Sequence, residues 1–178
     1  MKGFTNMSQR NQRGATTLEL LFWSIGAIAI IGLAAIAFIT YQGNQRVATT
    51  QAQIMELSGA IKGLYPDPNY NGVTPKQIVD AKKAPAGMAS GTTLVSRFGS
   101  IVAIAPAAYN GGTDNAFQIT YPGVPTSECN SLIGGLGQNF VELRVGTTVV
   151  KDATTPINSA AVTTACANPT NSLVFLGV

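Results

Sequence analysis

Arg13-Gly14-Ala15-Thr16-Thr17-Leu18-Glu19 leads without a break into an uncharged run from Leu20 to Ile39. A basic, polar leader here meets a long apolar segment, with one carboxylate at the junction. Twenty residues without a charge is the length a helix needs to cross the hydrocarbon core of a bilayer, and the run reads as a membrane segment. A glutamate at its edge is costly in lipid and calls for a partner. Gly14 reads as a processing site and Glu19 as an assembly contact.

The charges separate at the same place. The chain has 178 residues, 11 basic and 8 acidic, and a pI near 9.0. Lys2, Arg10 and Arg13 all precede Gly14, where no acid lies, so a product starting at Ala15 carries eight charges of each sign. The basic pI therefore belongs to the leader, where positive charge holds an N-terminus on the cytoplasmic side, and no nucleic-acid partner is expected. Charged residues make up only 11% of the chain, which suits an extracellular or filament surface. Histidine is absent, which excludes Ser-His-Asp and Cys-His catalysis and imidazole-based metal sites. No enzyme, cofactor or metal site is expected. Asp67, Asp80, Asp114 and Asp152 are scattered, and Lys82-Lys83 is too small a basic spot for a nucleic-acid footprint.

Met1 to Gly14 reads as a leader to be excluded from the fold. From Ala15 to Tyr65 there is no proline, and one long helix is expected, with 15–40 as its membrane part. Its second half is amphipathic: Val47, Ile54 and Ile61 fall at one heptad position, and Thr50, Leu57 and Leu64 at the other. Gln45, Arg46, Gln51, Gln53, Glu56 and Lys62 fill the polar sides. Gly59 and Gly63 weaken the last turns, and Pro66-Asp67-Pro68 ends the helix.

Residues 66–178 read as an α+β head. Thr74-Pro75-Lys76-Gln77 starts a helix, with Thr74 as N-cap and Gln77 three residues on, expected to run to about Ala84. Strands are expected at Ser100–Ala105, Ala116–Tyr121, Phe140–Val145, Thr147–Val150 and Leu173–Leu176. Asn110-Gly111-Gly112 and Pro122-Gly123 read as turns. Thr126–Ile133 is expected to be a helix carrying Cys129 and stopped by Gly134-Gly135, and Gly134-Gly135-Leu136-Gly137 reads as a turn. A further short helix is expected from Asn158 to about Cys166. Cys129 and Cys166 are the two cysteines, and in an exported head a disulfide is the expectation, with two free thiols as the alternative.

Two ordinary readings compete for the opening stretch. One is a secretory signal peptide cut after Ala35-Ile36-Ala37, against which apolar residues continue through Phe38 and Ile39. The other is a plain anchor, which leaves Gly14 and Glu19 without a purpose.

The glycine, the carboxylate five residues later and the long apolar helix resemble the N-terminus of type IV pilins. A residue other than phenylalanine after Gly14 resembles class B, the group of toxin-coregulated and conjugative thin-pilus pilins. The resemblance is close over Arg13–Ile39 and architectural beyond it. It implies a long N-terminal helix packed on an antiparallel β-sheet head with one disulfide. It also implies cleavage after Gly14 by a prepilin peptidase and a new amine on Ala15, methylated in the family; Ala15 is smaller than the residue many members carry there. Glu19 would pair with the Ala15 amine of a neighbouring subunit. The implied partners are copies of the chain, an assembly platform, an ATPase and an outer-membrane secretin. The implied location is the inner membrane as precursor, then an extracellular filament of a Gram-negative bacterium, serving adhesion, conjugation or aggregation. A minor pilin or secretion pseudopilin is the first alternative, and a membrane-anchored or secreted binding module the second.

Overall fold

A computed structural model describes residue 41 and residues 43–178, of which 43–178 form one compact unit. The leader, Gly14, Ala15, Glu19 and the expected membrane span lie outside the described residues. Among the described residues, no helix is long and apolar enough to cross a membrane.

Helix α1 occupies residues 43–64. Its heptad stripe is the face it buries: Thr50, Ile54, Leu57 and Ile61 are fully buried, with Val47 and Leu64 packed partly against the same core. Ala48, Ala52, Met55, Glu56 and Gly59 lie exposed on the other side. The prolines at 66 and 68 follow directly, as the sequence requires. Nothing lies within 4 Å of a Cβ built on Gly59 or Gly63, so these glycines serve no close packing within the chain.

Helix α2 (Pro75–Asp80) begins at Thr74 as expected, with Gln77 Oε1 accepting from the Thr74 N–H at 3.1 Å. It ends at Asp80, not near Ala84. Lys82 adopts φ +55°, the Lys82 N–H reaches Val79 O and the Lys83 N–H reaches Ile78 O. This is a Schellman stop with lysine where glycine usually sits, and composition gave no warning of it.

Seven antiparallel strands form one sheet: β1 (Ala89–Ser90), β2 (Thr93–Val95), β3 (Ile101–Ala107), β4 (Ala116–Pro125), β5 (Glu142–Val145), β6 (Thr148–Lys151) and β7 (Thr170–Gly177). Their order is β1-β2-β3-β4-β7-β5-β6, so the last strand lies inside the sheet. The five expected strands are all present. The β1–β2 hairpin was not anticipated, because two- and three-residue strands hold too little alternation to register. Its turn, Gly91-Thr92, has the same make-up as Gly146-Thr147 between β5 and β6. In both, a glycine at φ +60° takes the first central position, as tight hairpins demand.

Pro122-Gly123 does not end β4. The strand pairs with β7 on both sides, Tyr121 with Leu173 and Val124 with Asn171, and one extra residue is accommodated as a bulge at Gly123 (φ +81°). The bulge lets a proline sit in an interior strand by releasing its position from the ladder.

Helix α3 (Thr126–Leu136) passes through Gly134-Gly135 rather than stopping there, and the supposed turn at 134–137 is largely helical. A Cβ on Gly135 would lie 1.9 Å from Gln51 Nε2, so a side chain there would displace the amide that α1 lends to Ser131 O. Helix α4 (Ser159–Ala165) lies where the sequence placed it. The inward faces of the strands, with Val102, Ile104, Phe117, Ile119, Tyr121, Leu143, Leu173 and Phe175, join α1 and α3 in one continuous core.

Candidate functional site

The seat of α1 on the head is built from three kinds of contact. The apolar stripe fills the middle. On one flank Gln51 Nε2 donates to Ser131 O of α3 at 3.1 Å; on the other, Gln53 Nε2 donates to Ala86 O ahead of β1 at 3.2 Å. Sequence patterning assigned both glutamines to polar sides, and tertiary structure makes them lateral ties. At the end of α1 the Tyr65 hydroxyl donates to Gln77 Oε1 at 2.7 Å, so the oxygen that caps α2 also holds the exit of α1.

A polar cluster lies where α1 meets the start of α3. Glu128 is only 6% exposed, and its Oε2 has no hydrogen-bond partner; Thr50 Oγ1, fully buried, has none either. Burial pushes the Glu128 carboxyl above its ordinary range, and the nearby positive charges of Arg46 and Arg97 only partly oppose this. The Tyr121 hydroxyl, which accepts from the Arg97 N–H at 3.3 Å, is likewise pushed up by burial. No sequence signal marked Glu128, because a single acid in a helical first turn usually sits in solvent.

Cys129 of α3 and Cys166, the C-cap of α4, form a disulfide with Cα atoms 5.8 Å apart, both side chains fully buried. The bridge encloses the β5–β6 hairpin and α4. Around it, Asn171 Nδ2 reaches Asn168 O at 2.9 Å and Val124 O at 3.4 Å, and Thr126 Oγ1 donates to Asn168 O. Asn158 caps α4 through its Oδ1, accepting from the N–H groups of Ala160 and Ala161 at 2.9 and 3.2 Å. Beside α4 runs an uncharged groove of about 840 Å³, lined among others by Thr147, Thr148, Asn158, Ala161, Asn168 and Asn171.

Two of the scattered carboxylates serve local structure. Asp80 pairs with Lys76 one turn back, and Asp152 accepts from the backbone of Thr154 and Thr155, which holds its carboxyl below the usual range. Among the described residues, no group of three His, Cys, Asp or Glu side chains is placed to hold a metal ion. The arrangement is one of docking, clamping and surface, with Cys129 and Cys166 the sequence-selected residues it brings together.

The family described as PilS N terminal matches residues 43–177. A type IV b pilin from Salmonella typhi is similar in structure, with a TM-score of 0.57 and 22% identity, over 72% of this chain and 97% of that one. TcpA, a type IV pilin from the Vibrio cholerae El Tor biotype, gives a TM-score of 0.60 and 17% identity, over 75% and 99%. At these identities the likeness is one of fold. No match is found among curated proteins.

Proposed function

The chain belongs to the PilS N-terminal family and has the type IV class B pilin fold, and on that premise we propose that it is a structural pilus subunit, cut after Gly14 and polymerised through its N-terminal helix. One observation carries the reading: α1 seats one face on the head and leaves the opposite face, from Ala48 to Gly59, open. On assembly the apolar run passes from lipid into a bundle of like helices, held there by close packing, with heads outward. A prepilin peptidase makes the cut, where a side chain larger than that of Gly14 would obstruct access. Ala15 acquires a positive amine that pairs with Glu19 of a neighbouring copy. In an apolar bundle either charge alone is costly, so the pair sets register more than it adds stability.

The precursor is held in the inner membrane, and the filament is extracellular, reached with the help of an assembly platform, an ATPase and an outer-membrane secretin. The disulfide-bounded part of the head then contributes to subunit contacts at the filament surface. N-terminal sequencing of the mature protein tests the reading. Ala15 supports it, Phe38 favours an ordinary signal peptide and an exported module, and Met1 a plain anchor. Glu19→Ala is expected to leave the cut intact and to reduce fibres in electron micrographs. Normal fibre yield with Ala15 as N-terminus sinks the pairing. Fibres that stop short even with Glu19 in place favour a minor pilin or pseudopilin.

A further inference from the structure

Arg46 of α1 and Arg97 of the β2–β3 connection open onto one pocket of about 420 Å³, completed by Phe98, Gly123 and Pro125. Both arginines are exposed, and neither takes part in an ion pair among the described residues. Glu128, the acid that feels both charges, is buried and forms no ion pair with either, so among the described residues no carboxylate occupies the two guanidinium forks. The remaining walls add no negative charge. Pro125 is the N-cap of the 11-residue α3, whose first turn no side chain caps and which carries Glu128 against the positive end of its dipole. Phe98 gives the pocket an apolar side, held edge-on against Tyr121 with ring centroids 6.1 Å apart. Two forked donors beside an apolar wall suit a phosphate that carries a hydrocarbon substituent.

Sequence position indicates where such a phosphate is met. Arg46 follows Ile39, the last residue of the apolar run, by seven residues, about 10 Å of helix and at most about 25 Å of extended chain. We propose that the Arg46–Arg97 pocket binds the headgroup phosphate of an anionic phospholipid, holding the head against the membrane surface before assembly. This rests on reading Leu20–Ile39 as the membrane segment. The phosphate is held by charge-assisted hydrogen bonds alone, and release into a filament needs no bond to be broken beyond these.

The test uses the full chain reconstituted into bilayer discs of phosphatidylcholine with a minor fraction of phosphatidylglycerol, with co-purifying lipid read by native mass spectrometry. The wild-type chain is expected to retain phosphatidylglycerol in excess of its share. Arg46→Gln and Arg97→Gln are each expected to lower that excess roughly fivefold, the size of one basic residue at an anionic surface. Arg46→Lys with Arg97→Lys, which keeps charge and loses the forks, is expected to fall between. An unchanged excess in the glutamine variants overturns the proposal, and so does a full excess in the lysine variant, which would mean bulk charge and not a pocket. Inorganic phosphate that binds the chain in neutral detergent and abolishes the excess assigns the pocket to a free anion and overturns the lipid. Self-association lost on Arg46→Gln with lipid retention intact assigns it to an acidic side chain of a second copy, and overturns it too. Flotation with vesicles separates the two readings. A chain that fails to float refutes the membrane segment, whereas one that floats without phosphatidylglycerol preference refutes only the pocket.

Discussion

The two halves of the head are held by different physics. In the half formed by α1 with β3, β4 and β7, fully buried Ile54, Leu57, Ile61, Phe117, Ile119 and Phe175 interlock in one core. In the half bounded by Cys129 and Cys166, α4 buries only Val162 along its seven residues, and the hairpin it packs beside leaves Val149 45% exposed. The first half has apolar area to hold itself. The second adds Leu132, Ile133, Phe140 and Leu143 to the same core, but its α4 is short of apolar contact and relies on a covalent bridge, a helix cap and the amide of Asn171. Polar residues around such a staple can be replaced without opening a cavity.

The contrast is tested most severely in the packed half. Leu57→Ala removes a fully buried side chain at the centre of the α1 seat and is expected to cost about 2–5 kcal/mol, read by denaturant unfolding followed by circular dichroism. A loss below about 1 kcal/mol would mean that α1 is not held by its apolar stripe. In the stapled half, Cys129→Ser with Cys166→Ser opens a bridge of sequence separation 37 and is expected to cost about 3–4 kcal/mol. The distinguishing readout is where the chain opens. Hydrogen exchange should rise across residues 152–170 while β3 and β4 stay protected. Uniform loss across the sheet would erase the distinction between the halves.

Two smaller effects sharpen it. Asn158→Ala removes the α4 cap and is expected to cost about 1 kcal/mol by the same unfolding measurement, with a larger local effect in the reduced protein than in the oxidised one. Glu128 lies on the boundary between the halves. Its folded carboxyl titrates above the unfolded one, so its contribution is most favourable at acid pH and declines as pH rises from the unfolded value through the folded one. Glu128→Gln is therefore expected to flatten that part of the stability–pH curve and to gain about 1 kcal/mol at neutral pH. An unaltered slope would place the carboxylate in solvent.

How far the chain could be read without its structure differs by element. The α1 stripe was legible because a 3.6-residue period over 18 positions is hard to mimic by chance, and the five longer strands because their alternation is preserved. The glycines misled. Gly134 and Gly135 look like a helix stop, yet α3 runs through both, and Gln51, brought across from another element, fills the space a side chain on Gly135 would take. Pro122-Gly123 looks like a turn until β7 pairs on both sides of it. The cysteine pair was legible once the head was read as exported, whereas Glu128, Arg46 and Arg97 are far apart in sequence and form a cluster only through the fold.

The sequence by itself determined the faces and the charges. It set which residues of 43–64 turn inward, where the first turn of α2 is capped, which two sulfurs are available, and that all excess positive charge precedes Gly14. These are properties of neighbours along the chain, where period, cap and proline act within a few residues. Only tertiary structure decided that β7 enters between β4 and β5, that Gln51 and Gln53 tie α1 to opposite flanks, and that a carboxylate is buried near two exposed arginines. Each of these depends on long-range contacts, whose energies no local pattern contains.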